Sequence, residues 1–128
     1  MAEPVRLCPA CYRPNPWAAS RCTGCGAALE TDEPYDERLI WALDHPDSGI
    51  AVLAAQLLAE RHARQAIDRL IELVDSADPY RAAAAARALT AFTDDERAVA
   101  AVEACRTHRS ALVRRAVSRA EPGRRRAR

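Results

Sequence analysis

Four of the five cysteines in this 128-residue chain stand in two pairs, Cys8-Pro9-Ala10-Cys11 and Cys22-Thr23-Gly24-Cys25, with ten residues between the pairs. A C-x2-C hook turns two sulfurs to one side of a tight backbone loop, and two hooks set four thiolates at the corners of a tetrahedron. That donor set suits Zn²⁺, with Cys8, Cys11, Cys22 and Cys25 as ligands. The protein would supply all four positions and leave none for water or substrate, so the expected metal is structural rather than catalytic. Two disulfides, or iron in the same donor set, are the alternatives. Met1-Ala2-Glu3-Pro4 is short and polar and does not read as a secretory leader. The expected compartment is therefore the cytoplasm, where thiols stay reduced and available to metal.

Residues 7–29 resemble a short zinc ribbon, with C-P-x-C at the opening and C-x-x-C-G-x-x-L at the close, here Cys22 to Leu29. Gly26 suits a knuckle turn of positive φ, whereas Tyr12 stands at the matching place in the first knuckle. Cys11, Asn15 and Cys22 also match the C-x3-N-x6-C spacing of Ran-binding-protein-type zinc fingers, some of which bind single-stranded RNA. In that family a Trp precedes the first Cys by two residues, and here the place is taken by Arg6. Trp17 is read as a cover for the metal site or a dock on a neighbouring element, with base stacking as the other role open to it.

The hooks must be carried by something larger. Residues 36–120 are rich in Ala, Leu and Arg and hold no glycine after Gly49, a composition that favours helix. A shift of 31 positions superposes Leu39 on Leu70 on Ala101, Leu43 on Val74 on Cys105, and Ala55 on Ala86 on Val117. A fixed period near 30 with two helices per unit is the signature of an α-solenoid. Six helices are predicted, near 35–44, 49–59, 63–75, 79–91, 94–106 and 110–120, broken at His45–Gly49, Ser76–Pro79 and Thr93–Glu96. Within them apolar residues recur at three and four, as in Ile67, Leu70, Ile71 and Val74.

This region resembles the HEAT repeats in their short form. Val113-Arg114-Arg115-Ala116-Val117 matches the V-R-x-A-A start of a first helix, and Ala85-Ala86-Arg87-Ala88-Leu89 matches the A-A-x-A-L close. Ala83 takes the place of the usual Arg, with Arg81 out of register, which implies an incomplete Arg–Asp ladder between units. The expected fold is a small zinc ribbon plus an all-α region, an α-solenoid of about three HEAT-like helical-hairpin units. The division is 1–30 ribbon, 31–35 linker, 36–120 repeats and 121–128 basic tail, the tail expected to be disordered. The resemblance implies a binding surface along the second helices. Its candidate partner-binding residues are Trp41, Arg38, Arg64, Asp68 and Arg69, with Trp41 serving either a partner or the chain's own ribbon.

Charge is balanced overall at +1 but unevenly spread. Residues 31–80 carry eleven acids against four arginines, and residues 81–128 carry twelve arginines against five acids. Arg114, Arg115, Arg119, Arg124, Arg125, Arg126 and Arg128 form a candidate nucleic-acid-binding end. Cys105 and His108 have ligand-like spacing, but Cys105 aligns with Leu43 and Val74 and is read as a buried apolar residue. No phosphate loop, catalytic constellation or membrane-length apolar run stands out, so no enzyme, small-molecule substrate or membrane association is expected. Three readings remain: a non-catalytic adaptor for a protein partner; a nucleic-acid or ribonucleoprotein binder using the ribbon and the basic end; and, against the expectation just given, an enzyme by resemblance to the longer HEAT-like DNA glycosylases or bilin lyases.

Overall fold

A computed structural model describes residues 5–29 and 35–119. Most of the expected linker and the whole expected tail, including Arg124, Arg125, Arg126 and Arg128, lie outside the described residues. Tyr35, where the expected linker and the expected first helix meet, is the first residue of that helix.

The N-terminal segment pairs β1 (Val5–Leu7) antiparallel with β2 (Pro14–Pro16), Arg6 facing Asn15. Two prolines lack N–H groups, so β2 fits only a short ribbon such as this. Then come α1 (Tyr35–Ala42), α2 (Ser48–Glu60), α3 (Ile67–Leu73), α4 (Pro79–Leu89), α5 (Glu96–Cys105) and α6 (Ala111–Val117). A 3₁₀ turn, Arg64–Ala66, leads into α3.

The helix starts follow capping chemistry. Asp47, Asp78, Asp95 and Ser110 each sit in extended backbone and accept from amides of the first turn. Pro79 follows Asp78 at a position where a missing N–H costs nothing. At α5 the cap is Asp95 rather than Thr93, because the Asp95 carboxylate takes the amides of both Arg97 and Ala98. The helix therefore begins two residues later than the sequence suggests.

The helices stack in two layers, α1, α3 and α5 in one and α2, α4 and α6 in the other. In the even layer α4 packs closely on both neighbours, while contact between α3 and α5 is slighter. Side-chain size explains the difference. Buried positions of the even layer are mostly alanine, as in Ala51, Ala54 and Ala55 repeated at Ala82, Ala85 and Ala86. The odd layer buries Leu39, Leu43, Ile67, Leu70 and Val102. Small residues let helix axes approach, and larger ones hold them apart.

One apolar core runs from Leu7 of the strand pair through Leu39, Leu58, Leu70 and Phe92 to Val113 and Val117. The ribbon thus closes the first end of the array. Hydrogen bonds tie successive units together as well. Arg81 reaches back to the carbonyls of Leu43 (2.7 Å) and His45 (2.8 Å), which α1 leaves unsatisfied at its end. His108 makes the equivalent contact with Val74 O at 2.8 Å, and its Nδ1 accepts from the Ser110 amide, which places the ring proton on Nε2. The out-of-register Arg81 therefore performs an inter-unit role by another route. Cys105 is buried, and burial pushes its thiol upward in pKa.

Candidate metal centre and helical groove

Each knuckle forms the same hydrogen-bonded loop. The Tyr12 amide donates to Cys8 O (2.9 Å) and Gly26 N to Cys22 O (3.0 Å); Cys8 N pairs with Arg13 O and Cys22 N with Ala27 O. These loops require the left-handed region at the residue after the second cysteine, with φ 63° at Tyr12 and 80° at Gly26. Glycine adopts it freely, and tyrosine does so against a cost of about 1–2 kcal/mol.

The four sulfurs converge within 4.8 Å of one another, with Cys8–Cys25 and Cys11–Cys22 both at 3.6 Å. A tetrahedral tetrathiolate with ordinary Zn–S bonds has edges of about 3.8 Å, so the spacing fits such a centre. Amides of Ala10 and Cys11 point at Cys8 Sγ, and those of Gly24 and Cys25 at Cys22 Sγ, at 3.3–3.5 Å. The Cys25 and Gly24 amides hold Cys22 down at about 6. Burial opposes ionisation of Cys8, yet its amide donors bring the thiol below its ordinary value. At Cys11 the Arg13 amide favours the thiolate, but burial and the three neighbouring sulfurs outweigh it and raise the thiol to about 11. Thiols crowded this closely resist full ionisation unless a cation compensates them.

Asn15 explains the C-x3-N spacing. It is buried, donates to Arg13 O at 2.9 Å, and accepts from the Thr23 amide at 2.9 Å and the Thr23 hydroxyl at 3.2 Å. It clips the first hook to the second. Sequence reasoning met this residue only as part of a spacing pattern.

The ribbon is joined to the helices by aromatic and arginine side chains. The Tyr35 hydroxyl accepts from the Leu7 amide at 3.1 Å. Trp17 meets Tyr35 edge-on at 5.4 Å, and Tyr12 meets His45 at 4.9 Å. Arg6 lies over Trp17, Arg38 over Tyr35, and Arg61 over both rings while paired to Asp36 at 2.5 Å. Trp17 is therefore a docking residue. Trp41 is not the dock, because Tyr35 and His45 receive the ribbon; it stays 59% exposed. Arg38, expected to point outward, is 7% exposed, since its guanidinium is drawn over Tyr35.

Arg64, Asp68 and Arg69 lie on the odd layer, and each is engaged across units. Arg64 pairs with Asp94, Asp68 with Arg97, and Arg69 with Asp44 and, at 2.6 Å, Glu72. An Arg–Asp ladder thus exists, built on other positions than the one Ala83 vacates. The opposite layer holds a groove of about 640 Å³ formed by α2, α4 and α6. Ala59, Ala83, Ala84 and Ala88 line it, with Tyr80, Arg87 and Arg115 contributing larger side chains. This groove lies on the even layer, opposite the side that carries the candidate partner residues Trp41, Arg64, Asp68 and Arg69. Of the basic-end residues, Arg114, Arg115 and Arg119 are exposed, and Arg114 donates to His108 O at 2.6 Å.

A family model described as HEAT repeats matches residues 37–120. The chain belongs to the HEAT-repeat family. No curated protein and no solved structure matched it. In this HEAT protein the described N-terminal residues, with their strand pair and cysteine cluster, fit a zinc ribbon set on the first unit. No helix among the described residues is long and apolar enough to cross a membrane.

Proposed function

We propose that the protein is a non-catalytic adaptor for a protein partner, working in the cytoplasm, with Zn²⁺ as a structural ion held by Cys8, Cys11, Cys22 and Cys25. The observation that carries this reading is the exposure of Trp41, which the ribbon leaves free by docking on Tyr35 and His45 instead. Large exposed aromatics are the usual anchors of protein interfaces, and HEAT repeats commonly serve as interaction scaffolds. Arg64, Asp68 and Arg69 add exposed polar groups to the same odd layer, each ion-paired to another unit, while Arg38 is buried over Tyr35. Asp78 and Asp95 cap helices and Asp44 and Asp68 pair across units, and this structural use of acids supports a non-catalytic role.

Four sulfurs converging from two hooks, with amides aimed at Cys8 and Cys22, favour a bound metal over two disulfides, and zinc is the ion proposed for them. Affinity capture of the full chain from its host lysate, with and without nuclease, tests the function. A partner set that survives nuclease and is lost with Trp41→Ala supports the adaptor. Collapse of the set under nuclease would transfer the function to the basic end, where Arg114, Arg115 and Arg119 are exposed.

A further inference from the structure

The arginines of the groove differ from those of the inter-unit ladder. On the odd side Arg64, Arg69 and Arg97 all meet carboxylates of another unit. On the even side Arg87 and Arg115 line the groove, and among the described residues neither guanidinium meets a carboxylate. Both are exposed. The α4 wall between them is alanine, at Ala83, Ala84 and Ala88, with Val52 and Leu112 adding apolar edges, so the recess has room for bulky apolar side chains. Tyr80 borders it and is 66% exposed. On α2, Glu60 accepts a hydrogen bond from Gln56 at 3.3 Å.

We propose that the α2/α4/α6 groove docks an acidic peptide segment of a partner protein that carries bulky apolar side chains. The proposal rests on the adaptor reading and gives that adaptor its partner chemistry. Carboxylates would pair with Arg87 and Arg115, and the apolar side chains would fill the space above the alanines. The chain's own C-terminal segment has the wrong charge, with four arginines after residue 120 against Glu121. A second copy presenting the same face would oppose arginine to arginine.

The test selects from a random peptide library displayed on phage, against the metal-loaded full chain. Enriched peptides are then titrated by fluorescence anisotropy against wild type, the double variant Arg87→Glu/Arg115→Glu, and Trp41→Ala. The expected result is enrichment of acidic peptides with Leu or Phe, and affinity weakened about tenfold or more in the double variant. Exchanging the peptide's Glu for Lys should restore binding to that variant. Both arginines are exposed, so folding should persist; if circular dichroism shows otherwise, Arg87→Gln/Arg115→Gln replaces the pair.

Enrichment without acidic bias, or binding indifferent to both arginine variants, overturns the proposal. Peptides lost with Trp41→Ala alone remove the groove but keep the adaptor. Failure to enrich any peptide, together with binding of a single-stranded RNA oligonucleotide, sinks both readings. Self-association of the chain that the arginine variants abolish would assign the groove to a second copy.

Discussion

The ribbon and the helical array solve the same problem with different means. The ribbon's own apolar cluster contains only Cys8, Cys22 and Leu29 as buried members, with Ala19 and Ala27 beside them. The array buries a continuous core from one end to the other. A segment as small as the ribbon buries little surface against its chain entropy, and the proposed zinc ion would supply the missing cross-link. The array needs no such ion, because each unit covers the apolar face of the next. The joint between them combines an apolar contact with polar ones: Leu7 enters the core of the array, and a few rings and guanidinium groups gather around Tyr35.

If that contrast holds, removing the metal gives the largest effect. Structural zinc contributes about 10–16 kcal/mol of apparent binding energy, all of it in the ribbon. Chelation, or Cys22→Ser, should abolish the ribbon's signals, read as a change in Trp17 fluorescence. Far-UV circular dichroism of the helices should stay close to that of the intact chain. Loss of helix on chelation would show that the array depends on its ribbon cover for more than the first unit.

The converse is Leu70→Ala in the centre of the array. Leu70 is fully buried, and such a truncation costs about 2–5 kcal/mol. Urea unfolding should shift accordingly, while cobalt substituted at the thiolates keeps its absorption spectrum below the transition.

A finer test lies at the joint. Tyr12→Gly relieves about 1–2 kcal/mol of left-handed strain yet loses an edge-on contact worth about 0.5–1.5 kcal/mol. Metal affinity should hold or improve, and the Leu7 amide that donates to Tyr35 should exchange faster with solvent. Unchanged exchange would mean that Tyr12 has no part in docking.

The smallest effect belongs to the ladder. Arg97 is 54% exposed, and exposed ion pairs contribute little. Arg97→Ala should leave the thermal midpoint within the scatter between preparations. A clear loss would promote the ladder to a cooperative network.

Much of this was legible in the chain itself, for reasons local to the residues. Cysteine spacing implies a tetrathiolate because two short hooks have few other uses. The 31-residue shift carries through to burial, with Ala51, Ala82 and Val113 all inside. Boundaries were less legible: Asp95 displaces Thr93 as a cap because a carboxylate can take two amides at once. The partner surface was the least legible. Periodicity marks Arg38 and Trp41 as off the main apolar face, but not that one lies over Tyr35 and the other in solvent.

The sequence by itself determined the cysteine cluster, the six helices of the described residues and the faces that pack, since these depend on spacing along one stretch of chain. Tertiary structure alone decided that Tyr12, Trp17 and Tyr35 form the joint, and that Arg87 and Arg115 share a groove. Those relations join residues distant in sequence, and only the packing of whole layers, set by alanine on one side and leucine on the other, brings them together.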